Sequence, residues 1–233
     1  MAAVIGWLAL AFVVSFLLGS IPWGVIVSKL AFKKDLRDEG SGNIGTTNAM
    51  RTLGKAGGAA VFVLDFGKGI AAGALAAYVF VPAIAGVEVD ATTADGQALL
   101  TAFGSAGVNP AALAMVLAFA GCTLGHIFSP WLKFKGGKGI AVAAACLLFV
   151  YGPVGFLVEI AVFAAGIALT RCVSVGSIAA AVVCPLLGLY YYGGQWVPWL
   201  IILATACVVV WAHRANIGRL RTGTENKIGS KKK

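Results

Sequence analysis

A glycine-rich segment flanked by arginines has the residue types that bind phosphate. The arginines are Arg37 and Arg51, and between them lie Gly40, Ser41, Gly42, Asn43, Gly45, Thr46, Thr47 and Asn48. Glycines allow successive backbone N–H groups to turn toward one anion, and hydroxyl and amide side chains add further donors. A guanidinium group grips a phosphate with two parallel hydrogen bonds. The segment therefore indicates phosphate or carboxylate binding, and a merely flexible link is the alternative.

A second glycine-rich segment surrounds a lysine where an apolar run begins. It reads Gly136-Gly-Lys-Gly139 and precedes Ile140. If a helix starts there, the amides of Gly136 and Gly137, the positive helix end and the Lys138 ammonium all point to one anion. The spacing is not that of a Walker A loop. The alternative is a glycine hinge whose lysines only set the membrane topology.

Ionisable residues also interrupt the apolar runs. Asp65 and Lys68 are three positions apart and share one face of a predicted helix. Such residues within membrane helices usually face a wet cavity or the protein interior and mark a functional site. We expect either a mutual ion pair or a contact from Lys68 to a bound anion. His126, near the end of the next run, either locks a helix or contacts substrate, and the position of Glu159 in mid-run indicates no role.

Serine, histidine and acidic residues recur at the ends of the later apolar runs. Ser174 and Ser177 open one run, where they either cap a helix or bind a ligand. His213 and Asn216 lie about one helical turn apart where the last run ends. Glu225 is the only acid in the basic tail, and we expect it to form a structural ion pair.

The elements that carry these residues are predicted to be membrane helices. The chain has 233 residues, of which 60% are hydrophobic and 12% charged, and its mean hydropathy is +0.92. This composition excludes a disordered chain and a disulfide scaffold. A bilayer span needs about 20 apolar residues, and the apolar content is enough for about seven such spans. The five cysteines have no C-x-x-C spacing, so no metal site and no disulfide are expected. The predicted spans are Val4–Val27, Gly58–Val81, Ala111–Trp131, Ile140–Tyr151, Val154–Thr170, Val173–Tyr192 and Trp196–Trp211.

The lysines and arginines predict the orientation of this seven-helix, all-α bundle. With the N-terminus outside and the C-terminus in the cytoplasm, every lysine and arginine except Lys68 lies on the inner side. The inner segments are then 29–57, 132–139, 171–174 and the tail 212–233. The outer loop 82–110 contains Glu88, Asp90 and Asp95 and no lysine or arginine. Residues 1–233 are thus predicted to form a single integral membrane domain, with the first helix retained.

Four polar clusters therefore reach one leaflet. A phosphorylated substrate bound at the inner face, beside lipid, explains their composition better than topology alone. A transporter of organic phosphate anions is the alternative function, although carriers place their polar groups near mid-bilayer. A structural membrane scaffold would not need these glycine, serine and asparagine residues. The sequence contains no sign of a nucleic-acid partner.

The order of these motifs resembles the bacterial acyl-phosphate:glycerol-3-phosphate acyltransferases. The resemblance extends over about residues 19–225 and rests on Gly19-Ser-Ile-Pro22, Ser28-Lys29, Asp35-Leu-Arg37, Gly40–Gly45, Thr47-Asn48, Arg51, Leu64-Asp65, Lys68-Gly69, Gly125-His126, Phe134–Ile140, Ser174, Ser177, His213-Arg214, Asn216-Ile217, Arg219-Leu220 and Gly223-Thr-Glu225. It implies a multi-pass enzyme of the bacterial inner membrane whose active site faces the cytoplasm. The implied reaction transfers a fatty acyl group from acyl phosphate to the 1-hydroxyl of glycerol 3-phosphate. Lysophosphatidate and phosphate are the products, in the first step of phospholipid synthesis.

The resemblance also implies roles for individual residues. It assigns catalysis to Ser41, Arg37, Lys138, His213 and Asn216, and structural integrity to Glu225. Substrate binding falls to Gly40, Gly42, Asn43, Thr47, Asn48, Lys68, His126, Gly136, Gly137, Ser174 and Ser177. It favours removal of the substrate proton by a phosphate oxygen, while His126 and His213 remain alternative bases. No cofactor is implied, and a monomer is expected.

The H-x-x-x-x-D motif of the other acyltransferase family is absent. Five positions after His126 stands Trp131, and five positions after His213 stands Gly218. The mechanism of that family is therefore not expected here. The outer loop 82–110 is longer than the resemblance predicts, and its role does not follow from the sequence.

Overall fold

The computed structural model describes residues 2–88, 92–105 and 107–229, and within them it contains helices and no strands. Asp90 and Lys231–Lys233, which entered the topology prediction, lie outside these ranges. The helices are α1 (Ala2–Ser20), α2 (Trp23–Phe32), α3 (Thr46–Thr52), α4 (Gly54–Leu75), α5 (Val81–Ala85), α6 (Ala94–Ser105), α7 (Pro110–Ile127), α8 (Ile140–Val150), α9 (Gly152–Thr170), α10 (Val173–Tyr191), α11 (Trp196–Ala212) and α12 (Arg214–Arg221).

Five of the described helical segments are long and apolar enough to cross a membrane. They are Ala2–Phe32, Gly54–Ala85, Pro110–Leu132, Gly152–Thr170 and Val173–Tyr191. The pair α11 and α12, bent by 54°, makes a sixth when taken as one span. Helix α8 has 11 residues, about 16 Å at 1.5 Å per residue, which is shorter than a bilayer core. The predicted count of seven spans is therefore not confirmed by helix length.

Four segments differ from the sequence prediction. The first apolar run is not one helix, because it breaks between α1 and α2 at Ile21 and Pro22. Segment 29–57 is not simply a loop, since it contains the end of α2, all of α3 and the start of α4. Segment 82–110 contains α6, and a π-helical turn at Ala76–Phe80 precedes it between α4 and α5. In the tail, α12 follows the last apolar helix.

Helix α7 is the central packing element of the bundle. A Cβ at Gly121 would lie 2.4 Å from the carbonyl oxygen of Phe12, and one at Gly125 would lie 2.1 Å from that of Phe16. These two glycines let the backbones of α1 and α7 approach closely, as small residues do in membrane bundles. The buried side chains of Val116, Phe119 and Cys122 on α7 pack into the main apolar core.

The chain brings its four basic segments to one end of the bundle. Residues from the loop before α3, the start of α8, the start of α10 and helix α12 all border one cavity. At the opposite end, the N–H of Asn109 donates to Oε1 of Gln195 at 3.1 Å, which joins the start of α7 to the start of α11. The basic segments therefore lie together at one end of the bundle, as the charge pattern predicts.

Candidate active site

A cavity of about 370 Å³ extends from the basic end of the bundle into its apolar interior. Its basic residues are Arg51, Lys138 and Arg219, which we call the basic end of the cavity. Its other polar lining residues are Ser41, Asn43, Thr46, Thr47, Asn48, Asp65, His126, Glu159, Ser174, Ser177, His213, Asn216 and Glu225. Aromatic and small apolar residues make up the rest of the lining, among them Phe66, Phe119 and Phe163. One continuous space thus has a cationic end and an apolar interior.

Asn48 shapes the loop that contains Ser41. Its Nδ2 donates to the carbonyls of Leu36 and Glu39 at 3.1 and 2.9 Å, and its Oδ1 accepts from the N–H of Ser41 at 2.9 Å. Leu36 is fully buried and anchors the same loop beneath it. The positive φ of Gly40, +59°, suits glycine, and a Cβ there would lie 2.4 Å from Asn48 Oδ1. Asn48 therefore holds Ser41 at the cavity wall.

Arg37 does not line the cavity. Its guanidinium forms a two-point contact with Asp35, at 2.9 and 2.5 Å, and Lys29 Nζ lies 3.1 Å from the same carboxylate. The hydrogen bonds from Arg37 hold the pKa of Asp35 well below its usual range. Arg37 thus orders the loop in this structure, whereas Arg51 and Arg219 reach the cavity.

Glycines in the Gly136–Gly139 segment serve close packing. The N–H groups of Gly136 and Gly137 donate to the carbonyls of Ile127 and His126, at 2.9 and 3.0 Å. Both N–H groups therefore donate hydrogen bonds within the protein, and the predicted hydrogen bonds from them to an anion are not observed. A Cβ at Gly136 would lie 2.1 Å from the carbonyl oxygen of His126. The segment caps α7 and fixes the position of Lys138 at the start of α8.

Lys138 is held in a polar network with residues from the tail. Its Nζ donates to Oδ1 of Asn216. The amide of Asn216 donates to Glu225 Oε1 at 2.7 Å, the hydroxyl of Ser174 donates to the same oxygen at 2.9 Å, and Arg219 Nε donates to Oε2 at 2.7 Å. The network joins three distant parts of the chain. Ser174 is thus bound to Glu225, and Ser177 donates to the Val173 carbonyl. Of the two alternatives for these serines, capping of α10 is therefore not observed.

Burial and nearby charges set the ionisation of this network. Burial, together with the positive charges of Arg219 and Arg51, lowers the pKa of Lys138 to about 8, although Glu225 opposes the change. For Glu225, burial raises the pKa, but the hydrogen bonds from Asn216, Ser174 and Arg219 outweigh it and leave the pKa below its usual value. The site therefore keeps a carboxylate that is fully engaged and a lysine that loses its charge in mildly alkaline solution.

His213 turns one ring nitrogen away from the network. Its Nδ1 lies 2.8 Å from the carbonyl of Val209, and because a carbonyl only accepts, Nδ1 carries the proton. Nε2 is then the nitrogen available to a ligand. His213 is 2% exposed and borders the cavity beside Lys138 and Asn216.

A buried ionic network lies beneath the Gly136–Gly139 segment. Lys68 Nζ lies 2.9 Å from Asp65 Oδ1, 2.9 Å from His126 Nδ1 and 2.8 Å from the carbonyl oxygen of Ile21. Of the three side chains, Asp65 and His126 border the cavity and Lys68 does not. The ion pair considered from the sequence is therefore present, and Lys68 is engaged on all sides rather than directed at the cavity.

Breaking this network should destabilise the protein strongly. We expect Lys68→Met to lower the unfolding free energy by about 3–5 kcal/mol, because it leaves the buried carboxylate of Asp65 unpaired. The measurement is thermal unfolding of the purified protein in detergent. The control is the double variant Asp65→Leu with Lys68→Met, which removes both charges and should recover much of the loss. An unfolding temperature of the single variant equal to that of the wild type would contradict the expectation.

The structure brings most of the predicted site residues to one cavity and leaves six outside it. Those outside the lining are Arg37, Gly40, Gly42, Lys68, Gly136 and Gly137. Arg51 and Thr46, which belong to the glycine-rich segment interpreted as anion-binding, do line the cavity. Sequence reasoning gave Arg219 no role in the site, although its charge at the inner side was a usable signal. Glu159, which the sequence left without a role, also borders the cavity.

Comparisons with known proteins identify relatives of this chain. A family model described as glycerol-3-phosphate acyltransferase matches residues 9–223. A glycerol-3-phosphate acyltransferase of Rhodopseudomonas palustris (strain BisB5) is 39% identical over 98% of this chain and 100% of its own length. One from Bacillus velezensis (strain DSM 23117 / BGSC 10A6 / LMG 26770 / FZB42) is 35% identical over 95% of this chain and 97% of its own.

A solved structure of the same kind has a similar fold. The crystal structure of PlsY (YgiH), an integral membrane glycerol 3-phosphate acyltransferase, in its glycerol 3-phosphate form has a TM-score of 0.72 and 30% identity, over 97% of this chain and 96% of that one. Its lysophosphatidic acid form gives a TM-score of 0.69 at 29% identity. The family expected from the motifs is confirmed, and the chain belongs to the glycerol-3-phosphate acyltransferases.

Proposed function

We propose that this enzyme transfers a fatty acyl group from an acyl phosphate to the 1-hydroxyl of glycerol 3-phosphate. The observation that carries the proposal is the single cavity, whose basic end suits phosphate and whose apolar interior suits an acyl chain. The products are 1-acyl-glycerol-3-phosphate and inorganic phosphate. An acyl phosphate has a phosphate and an apolar chain in one small molecule, which fits this cavity without a further binding domain.

The main physical task of the site is to bring two phosphates together. Two unit charges about 6 Å apart in a medium of dielectric constant about 20 repel each other by about 3 kcal/mol. The cations Arg51, Lys138 and Arg219 at the basic end offset this repulsion. Ser41, Asn43 and Thr47 in the same cavity lining supply neutral donors. Holding the hydroxyl next to the acyl carbon then lowers the barrier by orientation.

The bond changes require no strong acid. The oxygen of the 1-hydroxyl attacks the acyl carbon, and the bond from that carbon to the phosphate oxygen breaks. The hydroxyl proton passes to a phosphate oxygen, so phosphate leaves in a protonated form. Lys138 and Asn216 stabilise the developing negative charge. His213 presents Nε2 to the same region and is the alternative base.

We assign the remaining roles by position. Ser41, Lys138, His213 and Asn216 contact the reacting groups, while Asn43, Thr47, Asn48, His126, Ser174 and Ser177 shape the binding surface. Glu225 keeps the tail in place. Arg37 and Lys68, with Gly40, Gly42, Gly136 and Gly137, support the loops from behind rather than contact substrate.

The membrane arrangement that we propose follows the charge pattern. The single domain crosses the bacterial inner membrane seven times, with α8 as a short crossing whose loop dips into the membrane. The N-terminus is outside, the basic end of the cavity faces the cytoplasm, and the 82–110 segment is outside. The enzyme works as a monomer, since one chain supplies every residue named above. Cysteine labelling at single introduced cysteines in the loops tests this orientation.

Purified protein in detergent tests the reaction. We expect lysophosphatidate and phosphate in equal amounts from glycerol 3-phosphate and palmitoyl phosphate, and no product when palmitoyl-CoA replaces the acyl phosphate. An organic-anion transporter would instead move glycerol 3-phosphate into vesicles without forming lysophosphatidate. That result would overturn the proposal.

The lowered pKa of Lys138 predicts the alkaline limit of activity. Lys138 attracts phosphate only while protonated, so kcat/KM for glycerol 3-phosphate should fall as the pH rises through about 8. Lys138→Arg should move this fall to higher pH, because a guanidinium stays charged. The measurement is the pH profile of kcat/KM, corrected for spontaneous hydrolysis of the acyl phosphate. An identical alkaline fall in both proteins would remove Lys138 as its cause.

A further inference from the structure

Glu159 is a buried acidic residue that the proposed reaction does not use. It lies on α9 and is 3% exposed. Its Oε1 has no hydrogen-bond partner among the described residues. A buried polar group without a partner is costly, so its position needs an explanation. Glu159 borders the cavity, and water within the cavity is therefore its available partner.

The helix register places Glu159 at the deep end of the cavity. It is 11 positions from Thr170, the last residue of α9, and Cys184 is 11 positions from Val173, the first residue of α10. At 1.5 Å per residue both lie about 16 Å from the basic end. We call Glu159 and Cys184 the cavity floor.

Other polar groups near the floor have protein partners. The Tyr151 hydroxyl donates to the Cys184 carbonyl at 2.7 Å, and the Tyr192 hydroxyl donates to the Val150 carbonyl at 3.0 Å. The rings of Phe66 and Phe156 meet edge to face, with centroids 6.4 Å apart, on the side of α4 and α9. The floor is thus apolar except for one carboxyl group that the protein leaves unpartnered.

We propose that Glu159 limits the length of the acyl chain that the enzyme accepts. This inference rests on the proposed function, in which the apolar interior holds the acyl chain. An acyl chain that ends short of the cavity floor leaves water in contact with Glu159. A chain that reaches the floor brings a methyl group against the carboxyl and displaces that water, and a methyl group offers no hydrogen bond in return. Acyl phosphates with long chains are therefore disfavoured by the polarity of the carboxyl group rather than by lack of space.

The test compares acyl phosphates of increasing length in four proteins: the wild type, Glu159→Leu, Glu159→Gln and Glu159→Ala. Leucine keeps the volume and removes the polarity, so we expect Glu159→Leu to raise kcat/KM for stearoyl relative to dodecanoyl phosphate about tenfold, the effect of one unsatisfied buried polar group. Glu159→Gln keeps a polar group and should retain the wild-type profile. Ser15→Ala is the matched control, because Ser15 is also buried and unpartnered but lies on α1, outside the cavity lining.

Each outcome separates this inference from the function on which it rests. A wild-type chain-length profile in Glu159→Leu overturns the inference. A shift in Glu159→Ala without a shift in Glu159→Leu also overturns it, because volume rather than polarity then sets the limit. If the folded wild type forms no lysophosphatidate from any acyl phosphate, the proposed reaction is wrong, and the role of Glu159 that depends on it is wrong as well.

Discussion

Replacing Lys138 by methionine should lower kcat/KM for glycerol 3-phosphate about 100-fold, the upper range for losing a charged hydrogen bond. Lys138 is the half-buried cation that Asn216 holds toward the cavity. Without it, Arg51 and Arg219 must balance the charge of both phosphates alone. We expect a higher KM, because Lys138 binds the phosphate of glycerol 3-phosphate, and a lower kcat, because Lys138 also stabilises the developing negative charge. Steady-state kinetics at saturating acyl phosphate measure it.

Lys135→Met is the matched control for this variant. Lys135 lies in the same loop, has the same charge and is exposed outside the cavity lining. Its replacement should leave kcat and KM near the wild-type values. Equal losses in both variants would show that the loop acts through its overall charge, and Lys138 would then have no specific place in the site.

Much of the fold could be predicted because lipid imposes a simple rule on sequence. A helix in a bilayer must be apolar over most of its length, so seven apolar runs stood out. Six of them each match one main helix in the structure, and the first is divided between α1 and α2. Their interruptions were harder to predict. The break at Pro22 and the short α8 depend on how neighbouring helices pack, and apolar composition does not report that.

Sequence reasoning predicted which residues lie near the site better than it predicted what each of them does there. Glycines at 136 and 137 fit an anion-binding loop and a tightly packed loop equally well, and only the tertiary contact with the end of α7 decides between them. For Arg37 the sequence contains a local sign that its guanidinium is already bound. Asp35 lies two positions earlier, and its carboxylate accepts hydrogen bonds from Arg37. Glu159 had no neighbour in sequence that reveals the cavity it borders.

Gly136→Ala should reduce kcat/KM by at least about 100-fold, because a displacement of about 1 Å at a reacting group is enough for that loss. A Cβ at residue 136 would lie 2.1 Å from the carbonyl oxygen of His126 and 2.9 Å from that of Ile127. Both atoms belong to the backbone at the end of α7, so no side chain can move aside. The segment itself must shift, and Lys138 is two residues away.

The same substitution at Gly67 separates this effect from a general loss of glycine. Gly67 lies on α4, is exposed, and a Cβ there meets nothing within 4 Å. Gly67→Ala should keep wild-type kinetics, with equal or higher stability because alanine favours the helix. Thermal unfolding in detergent shows whether Gly136→Ala remains folded. A folded Gly136→Ala enzyme with wild-type kcat/KM would mean that the position of Lys138 does not depend on the packing of this loop against α7, and the geometric basis of the site would be wrong.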